Sequence, residues 1–328
     1  MRPAGRGLVA AALLLCAAGC TGRDAGTSAA GEALVEALGT EPGRVRLLDA
    51  DGGAYALAEL ATPDSGTVWV QWVNLDSAAV VQVVGRIDTS RAAPESRYLP
   101  GVPSPFISTL SSDAAVAQVE ACPGALAVIN GAFLETPAAP PTQIAFPLEV
   151  DGQILSGGSS PYGPGAPGSA DRRWGAPLRA LVFDRASVRV EPYRPADGAP
   201  LIDSGVVDAV VTYAPTAHPA WGLRTRFHVL GPRDPTTLVV LTSNGGSTIG
   251  LLAALATRLG VPEPAQVTLD GGASTFLWNR TAGAITRPVR VPVSLGPAPA
   301  GDGRYTLSHF LGVRRLGADG PGCRGAGG

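Results

Sequence analysis

The sequence predicts a mixed α+β fold within the broad α/β class: a hairpin-rich β-sheet core, one strand–helix–strand unit and flanking helices. Three observations carry this. Of 328 residues, 43 are Gly and 30 are Pro, so turns are frequent and strands are favoured over a helical bundle. Short apolar runs of strand length recur and end in glycine- or aspartate-containing turns. Two of these runs, 238–241 and 267–269, bracket residues 248–259, where Ile249, Leu252, Leu255, Ala256 and Leu259 repeat at helical spacing. Such a unit predicts two parallel strands joined by a right-handed crossover, with Ser247 capping the helix and Gly260 and Pro262 ending it. A hydrophobic content of 45% suffices for a sizeable core, and a formal net charge of -2 provides no basic footprint for nucleic acid.

In chain order, Arg2 and Arg6, the apolar residues 8–18 and the small residues before Cys20 form a targeting segment. It is too short for a comfortable membrane span. It resembles a bacterial lipoprotein signal, which implies cleavage after residue 19, a lipid on Cys20 and a membrane-anchored exported protein. Ordinary signal-peptidase cleavage and secretion stay open, since Ala17 stands where that signal more often has Leu. Residues 20–44 read as a tether containing a short helix at 32–38. Residues 45–64 read as an N-terminal hairpin turning at Asp51, Gly52 and Gly53. The main domain spans 65–316, and 317–328 is a glycine-rich tail.

Within the main domain, 67–73 alternates at period two and 79–87 is a second β-rich run, so the two are expected to pair across 74–77. A helix is expected at 111–122 and a buried strand at 126–129. Hairpins follow at 147–155, turning on Asp151 and Gly152, and at 178–190. Residues 157–168, rich in Gly, Pro and Ser, read as a lid or a disordered stretch. Strands close the domain at 206–213 and near 311–313. Once the signal is removed and Cys20 modified, Cys122 and Cys323 remain. They form either a disulfide tying the tail to the body or two unpaired thiols.

Two strand ends carry the same pattern of apolar run, polar side chain and glycine: Asn130-Gly131 and Asp270-Gly271-Gly272. In open α/β sheets ligands bind at the carboxyl ends of strands, which makes these loops and Gly245-Gly246 candidates for one rim. Taken alone, Asp270-Gly271-Gly272 also reads as a hairpin turn, Arg224 as a solvated charge and Asn130 as a turn residue. The histidines His218, His228 and His309 lack metal-ligand spacing and read as structural, His228 being the one best placed to reach a pocket. Glu135 and Asp208 read as surface carboxylates.

The order of Asn130-Gly131, then residues 147–152, Arg224-Thr225, residues 243–260 and Asp270-Gly271-Gly272-Ala273-Ser274 resembles the phosphodiester glycosidase family, the family of the lysosomal uncovering enzyme. The likeness runs from about 67 to about 316, so 65–316 is expected to be a phosphodiester glycosidase-like domain. It departs from the family pattern at Ala132, Ala273 and Arg226-Phe227-His228. The resemblance implies a hydrolase acting on a glycan sugar-1-phosphodiester. A phosphate monoester is a good leaving group, so one carboxylate and one cation suffice where ordinary glycosidases need two carboxylates. Asp270 is then nucleophile or general base, Arg224 a bidentate phosphate clamp and Asn130 a hydrogen-bond donor. The amides of Gly245, Gly246, Gly271 and Gly272 cradle the anion beside Gly131, with Thr225 and Ser274 in support. No cofactor is expected, a divalent ion on Asp270 being the weaker alternative.

The competing class is a non-catalytic surface lipoprotein of the same fold that binds envelope polysaccharide. A dinucleotide fingerprint fails because Ser247 stands where its second glycine belongs, a P-loop fails because no Lys follows Gly250, and no Ser sits in a G-x-S-x-G elbow.

Overall fold

The computed structural model describes residues 28–39, 43–63, 66–96, 98–134, 141–159, 178–184, 186–194, 201, 208–218, 220–289 and 306–317. The signal, residues 20–27 (Cys20 among them) and 40–42 of the tether, Glu135, residues 160–168, Cys323 and the rest of the 318–328 tail lie outside the described residues, whereas residues 29–38 of the expected tether form a helix whose Leu34 and Leu38 are buried in the core. No helix among the described residues is long and apolar enough to cross a membrane.

Three sheets share one core. The first has the order β1 (Arg44–Asp51), β2 (Tyr55–Thr62), β3 (Gly66–Asn74), β13 (Thr237–Ser243), β12 (His228–Asp234) and β14 (Val267–Leu269). The second orders β10 (Val188–Tyr193), β9 (Leu178–Phe183), β11 (Asp208–Tyr213), β7 (Leu148–Val150) and β8 (Gln153–Ser156). The third orders β16 (Gly283–Thr286), β15 (Leu277–Asn279), β6 (Ala125–Asn130), β18 (His309–Arg315) and β4 (Ala78–Val84). A two-residue pair, β5 (Leu110–Ser111) with β17 (Thr306–Leu307), completes the strands.

Packing explains the layers. Leu57, Val73, Leu230 and Val240 of the first sheet meet Val80, Ile129, Leu311 and Val313 of the third, and Leu148, Leu181 and Val210 of the second close the same cluster. The opposite face of the first sheet buries Val68, Val70, Val229 and Leu241 under α1 (Ala29–Leu38) and α3 (Ile249–Arg258). The opposite face of the third sheet lies under α2 (Ser112–Glu120) through Val116, Val119 and Phe310. Helices therefore cover both outer faces of a two-sheet stack. Ser28, Ser111 and Thr248 cap the three helices, each side-chain oxygen accepting a backbone N–H at 3.1 Å.

The predicted hairpins at 45–64, 147–155 and 178–190 form, and consecutive left-handed residues Asp151 (φ 50°) and Gly152 (φ 74°) give the tight turn of the second. The first hairpin continues directly into β3, so it belongs to the six-stranded sheet.

Three expectations are corrected. β3 and β4 do not pair: β3 lies between β2 and β13, while β4 is an edge of the third sheet beside β18. Their connection is a corner, with Leu75 fully buried and its amide donating to Thr236 at 2.7 Å. The period-two pattern of 67–73 marked the two faces of β3 correctly, but both are buried, so a neighbouring run was not needed to cover either. In the strand–helix–strand unit β13 and β14 do run parallel, yet β12 stands between them and pairs antiparallel with both. Every strand pairing among the described residues is in fact antiparallel, so the architecture is mostly β, of α+β type. Finally, Thr248 rather than Ser247 caps α3.

Cys122 is disulfide-bonded at the end of α2.

Candidate functional site

β6 and β14 belong to different sheets and end side by side. The Asn130 side-chain amide donates to the Asp270 carbonyl at 2.6 Å, and the Asp270 amide donates to the Gly131 carbonyl at 3.1 Å. Asp270 is thereby held at a seam between sheets, half-buried, where the apolar run of β14 delivers it. Burial pushes its carboxyl up to about 7, against hydrogen bonds from the Ser274 hydroxyl and the Gly271 amide, the latter at 2.9 Å.

Residues 224–226 lie between this loop and the glycine loop after β13. The Gly272 amide donates to the Arg226 carbonyl at 2.6 Å, the Thr225 amide donates to Ser247 at 3.2 Å, and the Ser243 hydroxyl donates to Thr225 at 2.9 Å. The Thr225 hydroxyl faces Gly272. Arg224 is exposed, and its guanidinium donates to the Gly246 carbonyl. The structure thus brings the loops of Asn130, Asp270, Arg224 and Gly245-Gly246 together in one interlocked set.

The chemistry available there differs from the expectation in two respects. Asn130 is fully buried, and its amide faces inward: besides donating to Asp270, its Oδ1 accepts from the Phe276 amide at 2.7 Å and from His228 Nε2 at 2.8 Å. It braces the loop and does not present a donor to a ligand. The amide cradle is also largely spent. The Gly246, Gly271 and Gly272 amides bond Asn244 Oδ1, Asp270 Oδ1 and the Arg226 carbonyl. At the start of α3 the Gly250 and Leu251 amides bond the Trp221 carbonyl and Thr248 Oγ1. The glycine amides are thus engaged within the protein, and Arg224 stands beside them as an exposed cation.

The departures in the motif fit the geometry. Asp151 is the only non-glycine residue with positive φ among those described, so Ala132 and Ala273 sit in ordinary backbone. Gly271 has to lack a side chain, because a Cβ there would run into the Phe227 ring. Phe227 belongs to an aromatic cluster with His218 and, behind it, Phe133 and Tyr213. Arg226-Phe227-His228 is therefore a packed wedge under the site.

Two histidines hold the rim from below, a role the sequence did not reveal. The acceptor Asn130 Oδ1 requires His228 Nε2 to carry the proton, so Nδ1 accepts from Thr242 Oγ1 at 2.9 Å. On the other side, His309 Nδ1 accepts the Ala132 amide at 2.7 Å and Nε2–H donates to Gln82 Oε1 at 2.9 Å. Burial drives both imidazoles down to about 3, so both stay neutral, and burial lowers His218 to about 4. The available signal was positional: each histidine begins a strand, β12 or β18, that lies beside a motif-bearing strand end. Gln82 passes its own amide to the Glu149 carbonyl at 2.6 Å and to Asp208 Oδ1 at 2.5 Å. Asp208 is consequently no ordinary surface group; burial raises it to about 6, against hydrogen bonds from the Gln82 side chain and the Asp151 amide.

No group of three or more His, Cys, Asp or Glu able to hold a metal ion occurs among the described residues.

The sequence matches no protein-family model and no curated protein. Among solved structures, the chain is similar to the zebrafish N-acetylglucosamine-1-phosphodiester alpha-N-acetylglucosaminidase catalytic domain auto-inhibited by its pro-peptide, with 12% identity, TM-score 0.48, and coverage of 84% of this chain and 89% of that one. It is also similar to a hypothetical protein from Synechocystis, with 12% identity, TM-score 0.42, and coverage of 83% and 64%. A candidate exported protein from Burkholderia pseudomallei K96243 gives 14% identity, TM-score 0.41, and coverage of 82% and 76%.

Proposed function

We propose that this chain is a hydrolase of sugar-1-phosphodiesters in envelope or extracellular glycans, exported and held at the membrane by a lipid on Cys20. One observation carries the catalytic reading: a carboxyl whose proton affinity lies near neutrality sits where three loops interlock, and one of those loops presents an exposed guanidinium.

In this reading the Arg224 guanidinium holds the phosphodiester anion and offsets the charge that gathers on it as the anomeric C–O bond breaks. Asp270, ionised, either attacks the anomeric carbon or takes a proton from an attacking water. Water supplies hydroxyl to the sugar and a proton to the departing phosphate monoester, so no cofactor enters the balance. Ser274 and the Gly271 amide orient the carboxylate, and Asn130, His228 and His309 position the loops without touching substrate. Ground-state binding of the phosphate rests on Arg224 more than on backbone amides, because most of the glycine amides are spent.

The test is release of free sugar from a panel of glycosyl phosphodiesters, including teichoic-acid and capsule fragments. Turnover by the native protein and its loss in Asp270→Asn with the fold retained support the reading. Saturable binding of the same fragments, unchanged in Asp270→Asn and without sugar release by either protein, would make the chain a glycan-binding module.

A further inference from the structure

Large apolar side chains on the surface are not scattered evenly. Seven are exposed among the described residues, and four of them belong to segments that build the candidate site. Trp221 (37% exposed) and Leu223 (62%) precede Arg224 on its own loop, and Leu251 (41%) stands in the first turn of α3. Val289 (49%) is bonded through its amide to the Ala273 carbonyl at 2.9 Å. Trp221 is anchored to α3: its carbonyl accepts the Gly250 amide, and its indole lies so close over Gly250 that a Cβ there would come within 3.0 Å. Cations are interleaved with this apolar rim. Arg224 follows Leu223, and Arg226 reaches across to the Arg287 carbonyl at 2.8 Å, two residues before Val289.

An isolated exposed leucine needs no explanation, but apolar groups gathered around a cationic anion site do. From this juxtaposition we propose that the rim formed by Trp221, Leu223, Leu251 and Val289 is a subsite for an apolar substituent on the substrate's phosphate, so that the substrate is an amphiphilic phosphodiester. The proposal deepens the reading of the site as a phosphodiester hydrolase. The charged phosphate meets Arg224, and the chain it carries on the side away from the sugar lies along the apolar rim. Such a ligand matches the order of groups on the loop, in which Leu223 directly precedes the guanidinium.

The experiment compares n-octyl phosphate with methyl phosphate by calorimetry on the purified protein, below micelle-forming concentration, alongside hydrolysis of the octyl and methyl diesters of a sugar 1-phosphate. The octyl probe is expected to bind at least about tenfold tighter, the worth of burying roughly two methylenes. The double substitution Leu223→Ser with Val289→Ser brings the octyl-to-methyl ratio close to one, with the melting temperature unchanged. Equal binding of the two probes by the native protein overturns the proposal, as does a ratio the double substitution leaves intact. Adsorption to phosphatidylglycerol vesicles without chain-length preference for the soluble probes also overturns it, making the rim a membrane-facing surface. Hydrolysis that fails while the octyl preference holds counts against the enzymatic reading alone, because the binding comparison does not depend on turnover.

Discussion

The Nδ1 side of the His309 imidazole lies against the α-carbon of Gly131, leaving no room for a Cβ, while Nδ1 accepts the amide of the next residue, Ala132, at 2.7 Å. Gly131 in turn accepts the Asp270 amide at 3.1 Å. A side chain at 131 therefore pushes on a neutral, buried ring and on the loop that holds the carboxylate. Gly131→Ala is expected to cost about 1–3 kcal/mol of stability, as overpacking does, and to lower activity further than that loss explains. Thermal unfolding and sugar-release rates measured well below the melting temperature separate the two effects.

Asp270 sets the pH dependence. Its folded-state proton affinity is raised to about 7 by burial, so the protonated carboxyl is the better-tolerated form. Its stabilising contribution is complete below the ordinary carboxylate range and is lost as pH rises through about 7. In the proposed hydrolysis the ionised carboxylate does the chemistry, so activity is expected to run the other way: kcat/KM should rise with pH through about 7 and then level off. Asp270→Asn should lower kcat by about a thousandfold or more, as loss of a reacting group does. The same substitution should raise Tm at pH 8 by about 2–4 °C for each kcal/mol relieved, and leave it unmoved near pH 3. A variant less stable than the parent at pH 8 would show that the carboxylate is not strained in its site.

His228 and His309 should be silent in that profile. Both are held neutral by burial, so no limb between pH 5 and 9 belongs to them. His228→Ala leaves the buried Asn130 Oδ1 with the Phe276 amide as its remaining donor among the described residues and Thr242 Oγ1 without its His228 acceptor, at about 1–3 kcal/mol. The expected signature is a lower kcat and lower Tm with the apparent pKa unchanged. A pKa that moves with this substitution would assign proton transfer to the histidine.

Arg224→Ala is expected to raise KM for a phosphodiester by about ten- to a hundredfold, the worth of a charge-assisted hydrogen-bonded pair, and to do so less at high salt because the side chain is exposed. Arg224→Lys should recover only part, since a point charge cannot bridge two phosphate oxygens. A chelator should leave the rate of the parent unchanged; loss of activity on chelation, restored by a divalent ion, would put a metal at Asp270.

Cys20→Ala is expected to move the mature protein from the membrane fraction to the soluble one. Persistence in the membrane would remove the lipid anchor from the account.

Local chemistry was enough to place most elements. Hairpins at 45–64, 147–155 and 178–190 could be read because a turn such as Asp151-Gly152 sits between two runs of strand length, and α2 could be read from its cap at Ser111. The strand-end pattern likewise put Asn130 and Asp270 near one rim, since apolar strands ending in polar residues deliver those residues to an edge, whereas Arg224, which lies in the loop before β12, joined them only through the resemblance in motif order. Partnership was not legible. Whether β3 pairs with β4 or β13 depends on which of two buried faces meets which layer, and the local pattern of 67–73 is the same in either case. The inward turn of the Asn130 amide and the histidines beneath it arise from contacts between segments about a hundred residues or more apart, and the place of β12 between β13 and β14 depends on a second, non-adjacent partner, β14, that the hairpin of β12 with β13 does not announce. The sequence by itself determined which residues have the chemistry; only the tertiary structure decided which of those groups face a ligand and which are consumed in holding the site, because a buried polar group has to bond whatever the fold places beside it.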